Sequence, residues 1–414
     1  MISTRRTLLA ALTVVGALTS VTACGGGSDS SGSTDASAGT YTFWDPYPQF
    51  DASSPWGKLV AGCGTKAGVT VKRTAYDTTD LGNKALLAAQ QGNAPDVMLV
   101  DNPVVSTLVE AGILNRTSDL GLDTKSIQKN IIGAGTIDDA AYGVPIGANT
   151  LALYYNKKVL SAAGVDPASI KDWNSLTAAL KKVKAAGKKG ITFSAINTEE
   201  GSFQFLPWFW GAGGDLTELD SAKGVAALSL WKGWVDEGLA PKDVLQNTQT
   251  TSWQEFATGD YAFGENGTWQ LGNAEKAGFD YGIINVPGQS GGSAPVPTGG
   301  EFVTVPVQKD TARYDVSKKI VMCLTSDANL LPTDTTLAYV APTAAVQAEQ
   351  VKQNAKLKPW VDAVAAARGR TSGGLGTKYP TISQPMWTAV QAALSGSKSP
   401  QAAMDTAQAS ARKN

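Results

Sequence analysis

Residues 142–165 read YGVPIGANTLALYYNKKVLSAAGV. The stretch opens on Gly143 and Pro145, continues as an apolar run over 151–155, and turns helical in pattern after Asn156. An α/β pattern precedes it, and a second one, richer in Trp, follows. This is the signature expected where a chain passes from one lobe to another, with a cleft beside the crossing.

Composition narrows what such a chain can do. Its 414 residues allow two to three domains, and a hydrophobic fraction of 43% supports large cores. Charged residues make up only 17%, the formal net charge is −1, and no basic block lies outside the N-terminus, which argues against nucleic-acid binding. There is no His, so His-activated nucleophiles and His metal sites are excluded; no metal or other cofactor is expected. For the same reason ligand affinity is expected to change little between roughly pH 5.5 and 7.5. Eleven Trp are many, and they serve either large cores or a site for flat amphipathic ligands.

Arg5 and Arg6 precede an apolar run over 8–21 and then small residues up to Cys24, the form of a secretory signal covering 1–23. The run is too short for a spanning helix. Val21-Thr22-Ala23-Cys24 resembles a bacterial lipobox, in which the Cys becomes the lipidated first residue, and 24–39 has the Gly/Ser composition of a flexible tether. This predicts an extracytoplasmic chain anchored to the outer face of the cell membrane. Removing the signal takes away two Arg and no acid, so the formal charge becomes −1 − 2 = −3. Cys63 and Cys323 remain; in an oxidising compartment they form either a disulfide or two buried thiols.

Along the body, 41–44, 69–74 and 96–100 read as strands and 55–62, 81–91 and 104–111 as helices. This alternation predicts a mostly parallel sheet flanked by helices, with ligand outside the carboxyl ends of the strands. Trp44, Asp45, Tyr47, Asp101 and Asn102 fall there. In the second lobe 172–186 is helical, 191–195 a strand, and 203–210 crowds large apolar residues, including Trp208 and Trp210, that suit either core or a stacking surface. Trp231 and Trp234 lie on an amphipathic helix over 222–238 and read as packing residues. A strand over 261–264 empties into the turn 265–269; a second crossing is expected at 290–297 and a third at 337–342. Residues 368–383 read as loop, ahead of C-terminal helices over 384–394 and 400–411.

The order lipobox, GNAPDV, YGVPIGANTLALYYNKKVLSAAGVDP, PWFWGAGGD, FATGDYAFGENGTW resembles the extracellular solute-binding proteins of sugar ABC importers, in particular the maltose-binding-like family 1. The resemblance runs from about Tyr41 to the C-terminus. It implies a two-lobed periplasmic-binding-protein-like α/β fold, with lobe 1 over 40–148 and 298–337 and lobe 2 over 149–297 and 338–414. It implies a monomer that closes around a mono- or oligosaccharide and presents it to membrane permease subunits. By the same resemblance Trp44, Asp45, Tyr47, Asp101, Asn102, Asn149, Phe203, Gln204, Trp208, Trp210, Asn266, Trp269, Glu301, Arg370 and Trp387 would contact ligand. Relatives often carry Glu at the hinge position held here by Asn149, so maltose itself is not implied. Sugar chemistry fits this list: C–H faces stack on aromatic rings and hydroxyls pair with amides, carboxylates and Arg. Two other readings stand beside it. One is a glycosidase drawing a carboxylate pair from Asp45, Asp101, Asp215 and Glu301; the other is a structural surface lipoprotein.

Overall fold

The computed structural model describes residues 39–413. The signal, Cys24 and residues 25–38 of the tether lie outside the described residues.

Two sheets organise the chain. The first has the order β2-β1-β3-β11-β6, with β1 Thr40–Asp45, β2 Thr70–Ala75, β3 Val97–Asp101, β6 Val144–Pro145 and β11 Glu301–Thr304. The second has the order β10-β7-β9-β8, with β7 Leu151–Asn156, β8 Lys189–Thr192, β9 Tyr261–Gly267 and β10 Tyr281–Ile284. A short hairpin of β4 Thr136–Ile137 and β5 Ala140–Ala141 stands apart. The two-lobed α/β architecture is as expected, and in each sheet all strands but one, β11 in the first and β7 in the second, run in the same direction. In the first, β1 runs parallel to β2 and β3, while β11 is antiparallel to β3 and β6. In the second, only β8–β9 is parallel. The antiparallel members are strands that enter or leave a crossing, where the chain returns from the other sheet rather than through a flanking helix.

Across residues 144–151 the chain passes from one sheet to the other. Val144 and Pro145 pair in the first sheet, and Leu151 is already in the second. The crossings are stitched together: Ala148 bridges Val340 and Asn149 bridges Gly299. Gly300 has φ +114, and a Cβ there would lie 2.4 Å from the Gly147 carbonyl oxygen, so only Gly admits this approach.

Local chemistry sets the elements that face the cleft. The apolar run of β3 is buried, and Asp101 at its end accepts the Asn102 N–H and caps the helix Asn102–Glu110, with Pro103 in its first turn. The helix Glu199–Gly211 carries two acids in its first turn and buries every residue from Gly201 to Trp210. One predicted turn and one predicted loop fold differently. β9 extends through Gly267, absorbing Glu265 and Asn266 into the sheet. The last long helix spans Tyr379–Leu394, beginning inside the predicted loop with Pro380 in its first turn, where Pro is tolerated.

The main cores follow the sheets. One gathers Leu153, Phe193, Phe205, Trp208, Trp231, Trp234, Met386 and Met404. The other gathers Tyr41, Trp56, Leu99, Val303 and Ile320 with Tyr154, Trp253 and Phe256 beneath the second sheet. Residues 338–366 do not pack with the second sheet alone: Val340, Val346, Trp360 and Val364 join this latter core, and Asn130 Nδ2 donates to the Val364 carbonyl. Cys63 and Cys323 form a disulfide tying the helix Pro55–Lys66 to the helix Tyr314–Leu324. Among the described residues, no helix is long and apolar enough to cross a membrane.

Candidate functional site

The antiparallel register of β11 on β3 sets Glu301 directly opposite Asp101. Opposite residues share a sheet face at about 5 Å between Cβ atoms, so two carboxyl groups meet there. Glu301 is 8% exposed and accepts from the Tyr47 hydroxyl at 2.9 Å and the Tyr339 hydroxyl at 3.1 Å. Burial, reinforced by the charge of Asp101, pushes its carboxyl up to about 7 against these hydrogen bonds. The absence of His therefore does not clear this pH range of titration, and the expectation of pH-insensitive affinity loses its basis.

Asp101, 18% exposed, takes the Arg370 guanidinium at 3.0 Å. The same Arg370 Nη2 donates to Asn102 Oδ1 at 2.9 Å, and Nη1 donates to Glu199 Oε1 at 2.8 Å. Glu199 also accepts from the Tyr379 hydroxyl at 2.7 Å and from Ser383. Asn102 is held from the other side, its Nδ2 donating to the Thr298 carbonyl at 2.9 Å. Phe203 lies under the Arg370 guanidinium at 4.7 Å and tilts against Trp269 at 6.3 Å. Residues far apart in sequence thus form one polar and aromatic cluster between the sheets.

Two half-buried Trp offer ring surface. Trp44, at the end of β1, packs edge-on with Tyr76 at 5.1 Å, and Trp269 follows β9. Glu200 accepts the Gln249 N–H at 2.9 Å. Burial raises its carboxyl above the usual range, and Asp101 and Asp77 add to this by charge repulsion. Asn149 is buried, exchanges both backbone hydrogen bonds with Gly299, and lays its side chain against that glycine.

Five predicted contacts are buried, with side chains engaged inside the fold. Asp45 is fully buried and accepts from Arg73 at 2.7 Å, the Tyr47 N–H at 3.0 Å and Trp56 Nε1 at 3.1 Å. Its acceptor capacity serves the fold of the β1 loop. Gln204 accepts the Ser194 N–H at 2.6 Å and donates to the Glu265 carbonyl. Trp208 donates to Glu265 Oε2 at 2.8 Å and packs edge-on with Trp234 at 5.0 Å. Trp210 is buried, with Arg368 over its ring at 5.0 Å. Asn266 donates to the Gln249 carbonyl at 2.8 Å and is 1% exposed. Trp387 is half-buried on the helix Tyr379–Leu394 and makes no hydrogen bond or ring pair with the cluster among the described residues.

Sequence reading missed Glu199, Glu200, Tyr76, Tyr339, Tyr379 and Ser383. Glu199 and Glu200 did carry a signal, as first-turn acids of the aromatic helix. Tyr339 sits in the third crossing, and Tyr379 and Ser383 lay in the segment read as loop.

The profile of the bacterial extracellular solute-binding proteins matches residues 58–359. The maltodextrin-binding protein MdxE of Bacillus subtilis (strain 168) is 29% identical over 250 residues, 58% of each chain. A maltooligosaccharide ABC transporter solute-binding lipoprotein of Streptococcus pneumoniae (strain ATCC BAA-255 / R6) is 27% identical over 272 residues, 62% of each. The chain thus spans about three fifths of the length of these curated relatives. Among solved structures, the GacH receptor of Streptomyces glaucescens GLA.O, studied unliganded and with acarbose, superposes with a TM-score of 0.77 at 25% identity, covering 91% of this chain and 98% of that one. Maltose-bound T. maritima MalE3 superposes with a TM-score of 0.78 at 18% identity, covering 91% and 99%. With more than half of its length matched by the family profile, this chain belongs to the bacterial extracellular solute-binding proteins.

Proposed function

We propose that the chain is a carbohydrate receptor that closes two lobes around an oligosaccharide and delivers it to the membrane subunits of an ABC importer, performing no chemistry itself. The observation that carries this reading is the cluster between the sheets. Acceptors and donors for a hydroxyl rim (Asp101, Asn102, Glu199, Glu200) lie with ring surface from both sides, half-buried Trp44 with Tyr76 and half-buried Trp269 backed by buried Phe203. A pyranose needs this combination, and ring surface on both lobes favours a disaccharide or longer. Tyr47, Asn149, Glu301 and Arg370 complete the proposed site. The maltodextrin- and maltooligosaccharide-binding relatives and the acarbose-bound neighbour point to α-linked glucose oligomers as the first ligands to test. Lobe 1 is assigned to 40–148 and 298–337 and lobe 2 to 149–297 and 367–414, with 338–366 shared between them. The lipobox-like VTAC assigns Cys24 as the lipid anchor on the outer membrane face, with the chain acting as a monomer.

The glycosidase reading would have to use Asp101 and Glu301, since Asp45 is enclosed and Asp215 folds back on its own turn to bond Thr217. Both remaining carboxyls are already engaged, Asp101 by Arg370 and Glu301 by two tyrosines. Calorimetric titration with maltose, maltotriose, maltotetraose and acarbose tests the receptor reading. Saturable one-to-one binding without product formation supports it. Sustained turnover, or no binding to any sugar across a wider panel, overturns it.

A further inference from the structure

Arg370 is the one charged residue among the largest fully buried side chains of the described chain, at 1% exposure. Its partners come from both sides of the cleft. Asp101 and Asn102 stand at the end of β3 in the first sheet, and Asn102 is fixed there by its N–H to the Gly300 carbonyl at 3.1 Å. Glu199 opens the helix Glu199–Gly211 of the second lobe and is fixed by Tyr379 and Ser383 of the helix Tyr379–Leu394. Arg370 itself comes from the loop between residues 367 and 376. The planar guanidinium suits this double task, since its separate N–H groups can serve two carboxylates at fixed angles, which an ammonium cannot do. Nε has no partner and is buried, so the side chain is held by its far end alone.

We propose that Arg370 is an interlobe latch: with no ligand present, its guanidinium bridges Asp101 and Asn102 of one lobe to Glu199 of the other and holds the cleft closed. The inference rests on the two-lobe reading above and deepens it by adding a control on closure; it does not depend on which sugar binds. Closing on Arg370 buries its guanidinium fully and the Asp101 and Glu199 carboxylates in part, and such burial offsets much of the attraction gained. The latch is therefore weak, and water or ligand hydroxyls can compete for Asp101 and Glu199. In that sense Arg370 is an internal stand-in for ligand. A ligand must displace part of this network, which lowers the open, binding-competent fraction and hence the apparent affinity.

Small-angle X-ray scattering of the ligand-free mature chain tests this. The wild type is expected to scatter as the arrangement in which Arg370 bridges Asp101 and Glu199, and Arg370→Met to show a larger radius of gyration with an unchanged circular dichroism spectrum. Arg370→Lys should also expand, because a compact ammonium lacks the separated donors by which Nη1 serves Glu199 while Nη2 serves Asp101 and Asn102. Glu199→Gln and Asp101→Asn, which break the latch from either side, keep the test valid if the Arg370 variants fail to fold. Identical scattering from wild type and all folded variants, open or closed, overturns the latch. Maltotriose and acarbose titrations of the wild type are a separate arm: failure to bind them counts against the receptor reading and leaves the ligand-free result intact.

Discussion

The carboxyl of Glu301 gives the most quantitative handle on the cleft. Burial, then the charge of Asp101, raise it from 4.5 to about 7. The folded chain therefore prefers the neutral form. The stability this group contributes is present in full below 4.5 and is lost as pH rises through about 7. The span from 4.5 to about 7, at about 1.4 kcal/mol per pH unit, amounts to about 3 kcal/mol on full ionisation. Of this, about 2 kcal/mol falls between roughly pH 5.5 and 8.5. Many other groups titrate over that range, so the wild type is best compared with Glu301→Gln, whose amide keeps the shape of the neutral acid. Urea unfolding at both pH values, disulfide intact, gives the difference in unfolding free energy between the two proteins. Wild type should lose about 2 kcal/mol relative to the variant on going to the higher pH. A difference that stays constant within error would show that Glu301 ionises normally and that the cleft environment has been misjudged.

Three further outcomes are expected. Cys63→Ser paired with Cys323→Ser removes a bridge spanning 260 residues, and the unfolding free energy should fall by about 2–4 kcal/mol in denaturant titration without loss of sugar binding. Trp44→Ala and Trp269→Ala should each weaken oligosaccharide binding by about tenfold or more, since ring stacking contributes about 0.5–1.5 kcal/mol beyond buried area; Trp208→Phe should instead lower the melting temperature, because it strips buried Glu265 of the indole donor to its carboxyl. Asn149→Ala leaves the backbone pair with Gly299 in place and should weaken binding several-fold in calorimetry with little change in melting temperature.

The sequence made the crossing legible because two patterns change there at once, from a Gly-Pro segment to an apolar strand and then a helix capped by Asn156. It made Asp101 and Asn102 legible because an apolar strand ends at a Pro-containing helix start. It could not sort the residues of the helix Glu199–Gly211. Apolar side chains surround that helix, so periodicity names no face, and only the fold shows Phe203 toward Arg370 while Trp208 points into the core. Asp45, Gln204 and Asn266 show a related limit: a polar side chain at a strand edge reads the same whether it meets a ligand or satisfies the fold beside it, as these three do here. The partners that decide between these roles are often far away in sequence, as Arg73 is for Asp45 and Glu199 for Arg370.

Asp101 links the titration of Glu301 to the proposed latch. Its charge raises Glu301 and Glu200 and at the same time binds the Arg370 guanidinium. Asp101→Asn should then do two things that no purely local role explains. It should lower the Glu301 carboxyl toward the ordinary range, because one of the two causes of its rise is gone while the Arg370 charge remains. The pH at which the stability difference between wild type and Glu301→Gln levels off should therefore move down, and the total difference shrink, when both are compared in the Asp101→Asn background. It should also release one end of Arg370 and expand the ligand-free chain. If expansion occurs but the Glu301 titration stays where it was, burial alone sets the carboxyl, and Asp101 acts on the latch without acting on its neighbour across the strand.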